Sequence, residues 1–383
     1  MQRSPFLLPS ALAFALAAVL STPTRAQSAK AELYIDVATH ASPGMPGGGV
    51  MGRLAGSIGG FKPGYGMARH PALPGRYLDV ALHNPRQPGA PASQAIPKDL
   101  RLGKQLELLP AAPAPARDEA ADGNANNQAI ADGGPYRVRY YWGCGEQARK
   151  GQPAEYSLTI RNGKPVQGGR VMKPRQVTQR GVDPGPGHVL WPNPSHGRTV
   201  ASRASLVGTH HVTGAGLPAS MQFDLARDQD FMPALELDAE GSAEKGVSLH
   251  WNGIDGARAY FIHATVMDGD TIVMWSSSED GYAGLELMDY LPESQVRQWT
   301  GKRTLLGADA RSCQVPREVL AGSDGAPMLQ MIAYGGERTV AGPEWNVRLR
   351  NKSTAMLMLG SDGTATTPGK AAAKGLLRGL IGR

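Results

Sequence analysis

The stretch VSLHWNGIDGARAYFIHATVMDGDTIVMW, residues 247–275, decides the fold class. Val247, Leu249 and Trp251 take every second position, as on one buried face of a strand. Residues 253–256 supply a glycine-flanked turn, and Tyr260, Ile262, Ala264 and Val266 alternate again. Asp268-Gly269 is a two-residue hairpin signal, after which residues 272–275 run back. Further on, MLQMIAY (328–334) and WNVRL (345–349), continuing towards Leu359, add two more strands. Short alternating runs at this spacing predict a β-sandwich over residues 236–359, and the chain as a whole reads as all-β.

Outward from there the pattern is less regular. ELYIDVA (32–38) and YLDVALH (77–83) read as half-buried strands, and their YIDVA and YLDVA cores nearly repeat, as two equivalent strands of one sheet would. YRVRYYW (136–142) and EYSLTIR (155–161) are strands, the second followed by an Asn162-Gly163 turn and a short strand near 169–172. Residues 204–212 and 219–225 add candidates, while 175–198 is rich in Gly and Pro and reads as irregular. Residues 27–235 thus form a first, irregular β domain. It carries a Gly-rich insertion at 42–66 and a flexible Ala/Pro/Asp/Asn segment at 110–134. The 49 Gly and 30 Pro of the 383 residues suit many turns and argue against long helices.

A resemblance enters at Leu249-His250-Trp251, Gly256-Ala257 and Tyr260. These resemble the B and C strands of fibronectin type III domains, where a Trp lies in the core and a Tyr opens strand C. Leu329, Met331 and Ala333 resemble the family's F strand, but Leu329 stands where the family usually has Tyr, and the insertion between Ser278 and Pro327 is longer than usual. The resemblance implies a sandwich with Leu249, Trp251, Tyr260 and Ile262 in its core, and implies no activity. The whole chain also looks like exported proteins of Gram-negative bacteria.

Compartment is read at the start. Arg3 precedes the apolar run FLLPSALAFALAAVL (6–20), and STPTRA (21–26) offers small residues at Thr24 and Ala26. This is a Sec-type leader with cleavage expected after Ala26; the run is short for a bilayer of about 30 Å. The destination would be the periplasm, the outer-membrane periphery or the exterior. Formal charge is +7, falling to +5 once Arg3 and Arg25 leave with the leader. Such an excess suits an anionic surface, and with no basic-aromatic stripe nucleic acid is not an expected partner. The two cysteines, Cys144 and Cys313, favour a structural disulfide in that compartment, two separate buried thiols being the alternative.

Residues that could carry chemistry are few. Cys144 lies between Gly143 and Gly145 but has no CxxC and no nearby His. Nine histidines include the adjacent His210 and His211, which would point to opposite faces of a strand, and His250 and His263, which could form a surface pair on neighbouring strands. Two ligands are too few for a metal site. Met45, Met51 and Met67 fall in or beside the Gly-rich insertion without MxM or MxxM spacing. GxSxG and HExxH are absent. No catalytic residue, cofactor or metal ligand is assigned.

The C-terminal residues 360–383 form a basic tail. Lys370, Lys374 and Arg378 recur every four residues, and Leu376, Leu377, Leu380 and Ile381 make a neighbouring stripe. A short amphipathic helix would form best against an anionic membrane or an envelope protein; a frayed terminus is the alternative. The leading expectation is an exported, non-catalytic interaction or scaffolding protein. One alternative is an envelope enzyme acting on a cell-wall polymer or glycan, with its cleft near Trp142 and Trp191 and the sandwich as accessory. Another is copper or zinc sequestration through the Met/His loop.

Overall fold

A computed structural model describes residues 29–42, 63–69, 73–111, 133–162, 164–169, 175–177, 182–242, 244–321 and 326–359. The leader and the basic tail, including Lys370, Lys374, Leu376, Leu377, Arg378, Leu380 and Ile381, lie outside them, as do Met45, Met51 and most of the Gly-rich and Ala/Pro segments.

The chain is all-β. Its first half supplies β1 (Ala31–Ala41), β2 (Gly75–His83), β3 (Ala92–Ala95), β4 (Gln105–Pro110) and β5 (Gly133–Trp142). There follow β6 (Ala154–Arg161), β7 (Lys164–Gly169), β8 (His188–Trp191), β9 (Gly208–Gly214) and β10 (Gln222–Leu225). The second half supplies β11 (Leu237–Ser242), β12 (Gly246–Trp251), β13 (Ala259–Asp268), β14 (Thr271–Ser276) and β15 (Leu306–Gly307). It ends with β16 (Ser312–Val315), β17 (Met328–Ala341) and β18 (Trp345–Met358). The α-helices among the described residues are α1 (Glu293–Gly301) and α2 (Arg317–Leu320).

One large sheet runs β10-β9-β3-β4-β8-β2-β1-β18-β17-β13-β14-β5-β6-β7, and β11-β12-β16 form a second. Hydrogen bonding crosses the expected boundary between residues 235 and 236. β1 pairs in parallel with β18 from Ala31↔Trp345 to Ala41↔Ala355, and β5 pairs in parallel with β14. The boundary separates two hydrophobic clusters better than it separates sheets. At one end, β4 pairs with β3 and with β8, so the large sheet folds over a core that includes Leu33, Ile35, Leu78, Val80, Leu106, Trp191, Phe223 and Trp345. At the other end, β11-β12-β16 lies across β13, β14, β17 and β18 over Leu249, Trp251, Tyr260, Ile262, Trp275, Leu329 and Leu357.

Period-two alternation explains this placement. Leu33, Ile35 and Val37 of β1, and Trp345, Val347, Leu349, Ala355 and Leu357 of β18, are odd-numbered and share one sheet face. Both small cores therefore sit on one side of the large sheet. Its other side is covered over β13 and β17 by residues 283–305, where Leu287, Leu291, Val296, Trp299 and Leu305 meet Phe261, Ile332 and Tyr334.

Several expected elements shift. The irregular reading of 175–198 misses β8, and the strands near 204–212 and 219–225 are the shorter or displaced β9 and β10. The return strand near 169–172 is β7, which ends at Gly169. YIDVA and YLDVA are antiparallel neighbours, with Asp36 opposite Asp79.

Cys144 and Cys313 are bridged across 169 residues. Cys144 follows β5 and Cys313 lies in β16, so the bond ties the large sheet to the three-stranded one. A backbone bond from Gly145 N to Gln314 O (2.9 Å) supports the same seam. Replacing both cysteines by serine is expected to cost about 2–5 kcal/mol, seen as a lower denaturant midpoint that reducing agent reproduces in the native chain.

Candidate functional site

The face opposite the small cores carries the even-numbered residues of β1 and β18. Their register sets Asp36 beside Arg350, Ala38 beside Lys352 and His40 beside Thr354. Arg350 holds Asp36 through both carboxylate oxygens, at 2.7 and 2.8 Å from Nη2, with Nε at 3.0 Å from Oδ1. Both side chains are buried. Burial alone would lower the pKa of Arg350, but Asp36 more than offsets it and the net shift is upward.

Residues 289–290 close over this pair. The Tyr290 ring lies 4.6 Å from the Arg350 guanidinium carbon and 4.4 Å from Lys352 Nζ, and its hydroxyl donates to Val37 O at 2.8 Å. Asp289 accepts from Arg69 Nε at 2.9 Å and lies 3.4 Å from Lys352 Nζ. Burial would raise the Asp289 carboxyl, yet Lys352 and Arg69 hold it below the ordinary carboxylate range. Burial lowers the Lys352 ammonium, with Asp289 opposing the shift.

Asp79 is different. Ala68 N donates to its Oδ2 at 2.9 Å, but Oδ1 is buried with no hydrogen-bond partner among the described residues. Burial, followed among the raising effects by the charge of Asp36, pushes its pKa up to about 8. A protonated carboxyl suits an interior already holding Asp36 as an anion.

His40 borders the cluster. Its Nε2 lies 3.3 Å from Met67 O, an acceptor, so Nε2 carries the proton; Nδ1 then accepts from Thr354 Oγ1 at 2.6 Å. Burial, followed by Lys352, pulls its pKa down to about 3, so the ring is neutral.

Beside these groups opens a cavity of about 560 Å³ lined by His40, Arg69, Thr265, Met288, Asp289, Met328, Gln330, Thr354 and Met356 among others. Glu286 also lines it, but its Oε1 accepts backbone bonds from Gly284 (3.1 Å) and Arg175 (3.3 Å). The lining is mixed, as in small-molecule sites. No three His, Cys, Asp or Glu side chains gather as metal ligands among the described residues. No family model, curated protein or solved structure matches the chain.

The residues singled out in the sequence fall elsewhere. Leu249, Trp251, Tyr260 and Ile262 are buried in the second core, with Trp251 and Tyr260 5.7 Å apart. His210 is buried, bonded to Gln94 and stacked on Phe223, while His211 is half-buried on the opposite face. The surface pair that His250 and His263 could have formed is not present. β12 and β13 belong to different sheets, leaving His250 exposed and His263 buried. Trp191 sits in the first core and Trp142 stacks on Tyr140, so they do not frame a cleft together. Met67 packs beside Ala38, Ala68 and Tyr77.

Sequence reasoning missed Asp36, Asp79, Asp289, Arg69, Arg350, Lys352 and Tyr290. The available signal was a single Asp in the middle of two otherwise apolar strands. Arg350→Ala is expected to lose about 3–5 kcal/mol, read by chemical denaturation, because Asp36 would stay buried without its partner. Asp79 gives a pH signature. Its folded pKa lies above the unfolded value near 3.8, so its contribution is full below about pH 4 and is lost as pH rises towards 8. Asp79→Asn, which mimics the protonated acid, is expected to gain on the native chain between pH 5 and 8, by at most about 1.4 kcal/mol per pH unit.

Proposed function

We propose that the chain is an exported, non-catalytic interaction protein of the bacterial envelope. The observation that carries this reading is that the carboxylates and the imidazole lining the cavity are already engaged, while Asp79, whose Oδ1 is buried without a partner among the described residues, is not among the lining residues. Asp36 is held by Arg350, Asp289 by Arg69 and Lys352, and Glu286 by two backbone amides. Both ring nitrogens of His40 are engaged. General acid–base chemistry needs a group poised to exchange a proton with substrate near the working pH. Here the carboxylates at the cavity are committed as ion-pair or hydrogen-bond acceptors and the imidazole is neutral and bonded. The arrangement favours binding over turnover.

Export draws support from the disulfide, since such bonds persist in oxidising compartments. The second half is proposed as a fibronectin type III-like module. Three strands, β11-β12-β16, face four, β18-β17-β13-β14, a division of seven antiparallel strands suited to that sandwich. Leu329 in place of the usual Tyr leaves the module without a tyrosine corner. The basic tail is proposed as the tether to an anionic membrane or an envelope protein.

Fractionation of the producing cells is expected to place a mature chain beginning at Gln27 in the envelope. Deletion of residues 370–383 should release it to the soluble fraction, and an unchanged distribution would remove the tether. Purified protein is expected to release no soluble fragments from peptidoglycan. Release that Glu286→Gln or Asp289→Asn abolishes would replace this reading with the enzyme alternative.

A further inference from the structure

The register of the large sheet aligns thioethers on the face opposite the small cores. Across β14, β13, β17 and β18, one row reads Met274, Thr265, Met328 and Met358. The next row reads Ser276, His263, Gln330 and Met356. Met288, from the covering segment, lines the same cavity as Met328 and Met356. Five of the chain's 14 methionines thus gather at one end of one face, more than filling a gap requires. Met328 and Met356 stand on adjacent strands one row apart, a diagonal that long side chains span.

His263 supplies the second observation. It precedes Thr265 by two residues on the same face of β13 and pairs with Gln330 of β17; both of these neighbours line the cavity, and His263 lies behind them. Its side chain is 1% exposed, and Nε2 has no hydrogen-bond partner among the described residues. A buried imidazole nitrogen left unpaired is costly in a face built only for apolar docking. Ligation would satisfy it.

We propose that Met288, Met328 and Met356, with His263 Nε2 behind them, form a binding site for a soft monovalent metal ion, Cu(I). Thioether sulfur is a soft donor that selects Cu(I) over the harder divalent ions, which favour carboxylate and water. Met356 is 42% exposed and offers the entry point. The cysteines take no part, because both are committed to the disulfide. The site stands independently of the envelope-interaction reading, since it needs neither the tail nor a protein partner.

The full chain would be titrated with Cu(I) under anaerobic conditions against a competing chromophoric chelator. One Cu(I) per chain is expected. Joint replacement Met288→Leu, Met328→Leu and Met356→Leu should weaken binding at least 100-fold while keeping core volume. His263→Gln should weaken it about tenfold or more. Joint replacement of Met45, Met51 and Met67 by Leu should leave it unchanged. X-ray absorption of the Cu(I)-loaded native chain should report sulfur scatterers with one nitrogen, which decides the matter even if a variant fails to fold. A native chain that yields Cu(I) wholly to the chelator, a loaded chain without sulfur scatterers, or a triple variant that holds Cu(I) as tightly as the native chain would overturn the proposal.

Discussion

The parallel pairing of β1 with β18, clasped by Asp36 and Arg350, is the contact on which the rest of the molecule depends. It joins residues 314 apart in sequence and sets the first strand in the middle of the large sheet. Parallel neighbours cannot be linked by a short turn, so everything between the two strands is built as the connection. β2 and β8 extend the sheet on one side of this pair, and β17 and β13 on the other. Without it, each small core would lose a wall.

A charge pair at this position is not an obvious way to gain stability. Two ions taken from water carry a desolvation cost that their mutual attraction does little more than repay, and well-packed apolar residues often do as well. Register gives the pair a different use. A slip of one residue in β18 would turn Arg350 and Lys352 into the first core and bring Val347 and Leu349 against Tyr290. Only one alignment lets Arg350 meet Asp36 while Lys352 reaches Asp289. Tyr290 between the two cations extends this constraint to the covering segment, so a single register fixes three layers.

What could be read from the sequence follows from the range over which each signal acts. The alternation in residues 247–275 and the Asp268-Gly269 turn are local, and β12, β13 and β14 were legible from them. The cysteine pairing was legible from the count of two, read with an expected oxidising compartment. The polar face was not. Period-two alternation assigns Asp36, Arg350 and Lys352 to the side away from the apolar residues, and that side is normally water. Whether it is covered depends on residues 283–305 and 63–69, which come from distant parts of the chain. The same gap hid His263, correctly out of phase with Ile262 and Ala264 yet buried beneath a second layer. β3 and β8 have only four residues each, too few for alternation to register against Gly- and Pro-rich surroundings.

The two faces of the large sheet thereby divide the work. One face carries both small cores, which are aliphatic and aromatic, with the buried polar side chains Thr39, Asn351 and Ser353 between them, bonded to carbonyls of residues 228–233. The other changes character along its length. Near β1 it is ionic, with Asp36, Arg350, Lys352 and Asp289 paired and Asp79 keeping one oxygen without a partner among the described residues. Under residues 283–305 it is aromatic and dry. At the far ends of β17 and β18 it turns to thioethers, amides and hydroxyls beside an open cavity. A cavity wall gains precision from being built on paired strands rather than on loops. The clasp that fixes β1 against β18 therefore also fixes the floor on which Thr354 and Met356 stand, four and six residues beyond Arg350 on the same strand. The cavity wall at this end of the sheet is held in place by an ion pair that is not among its lining residues.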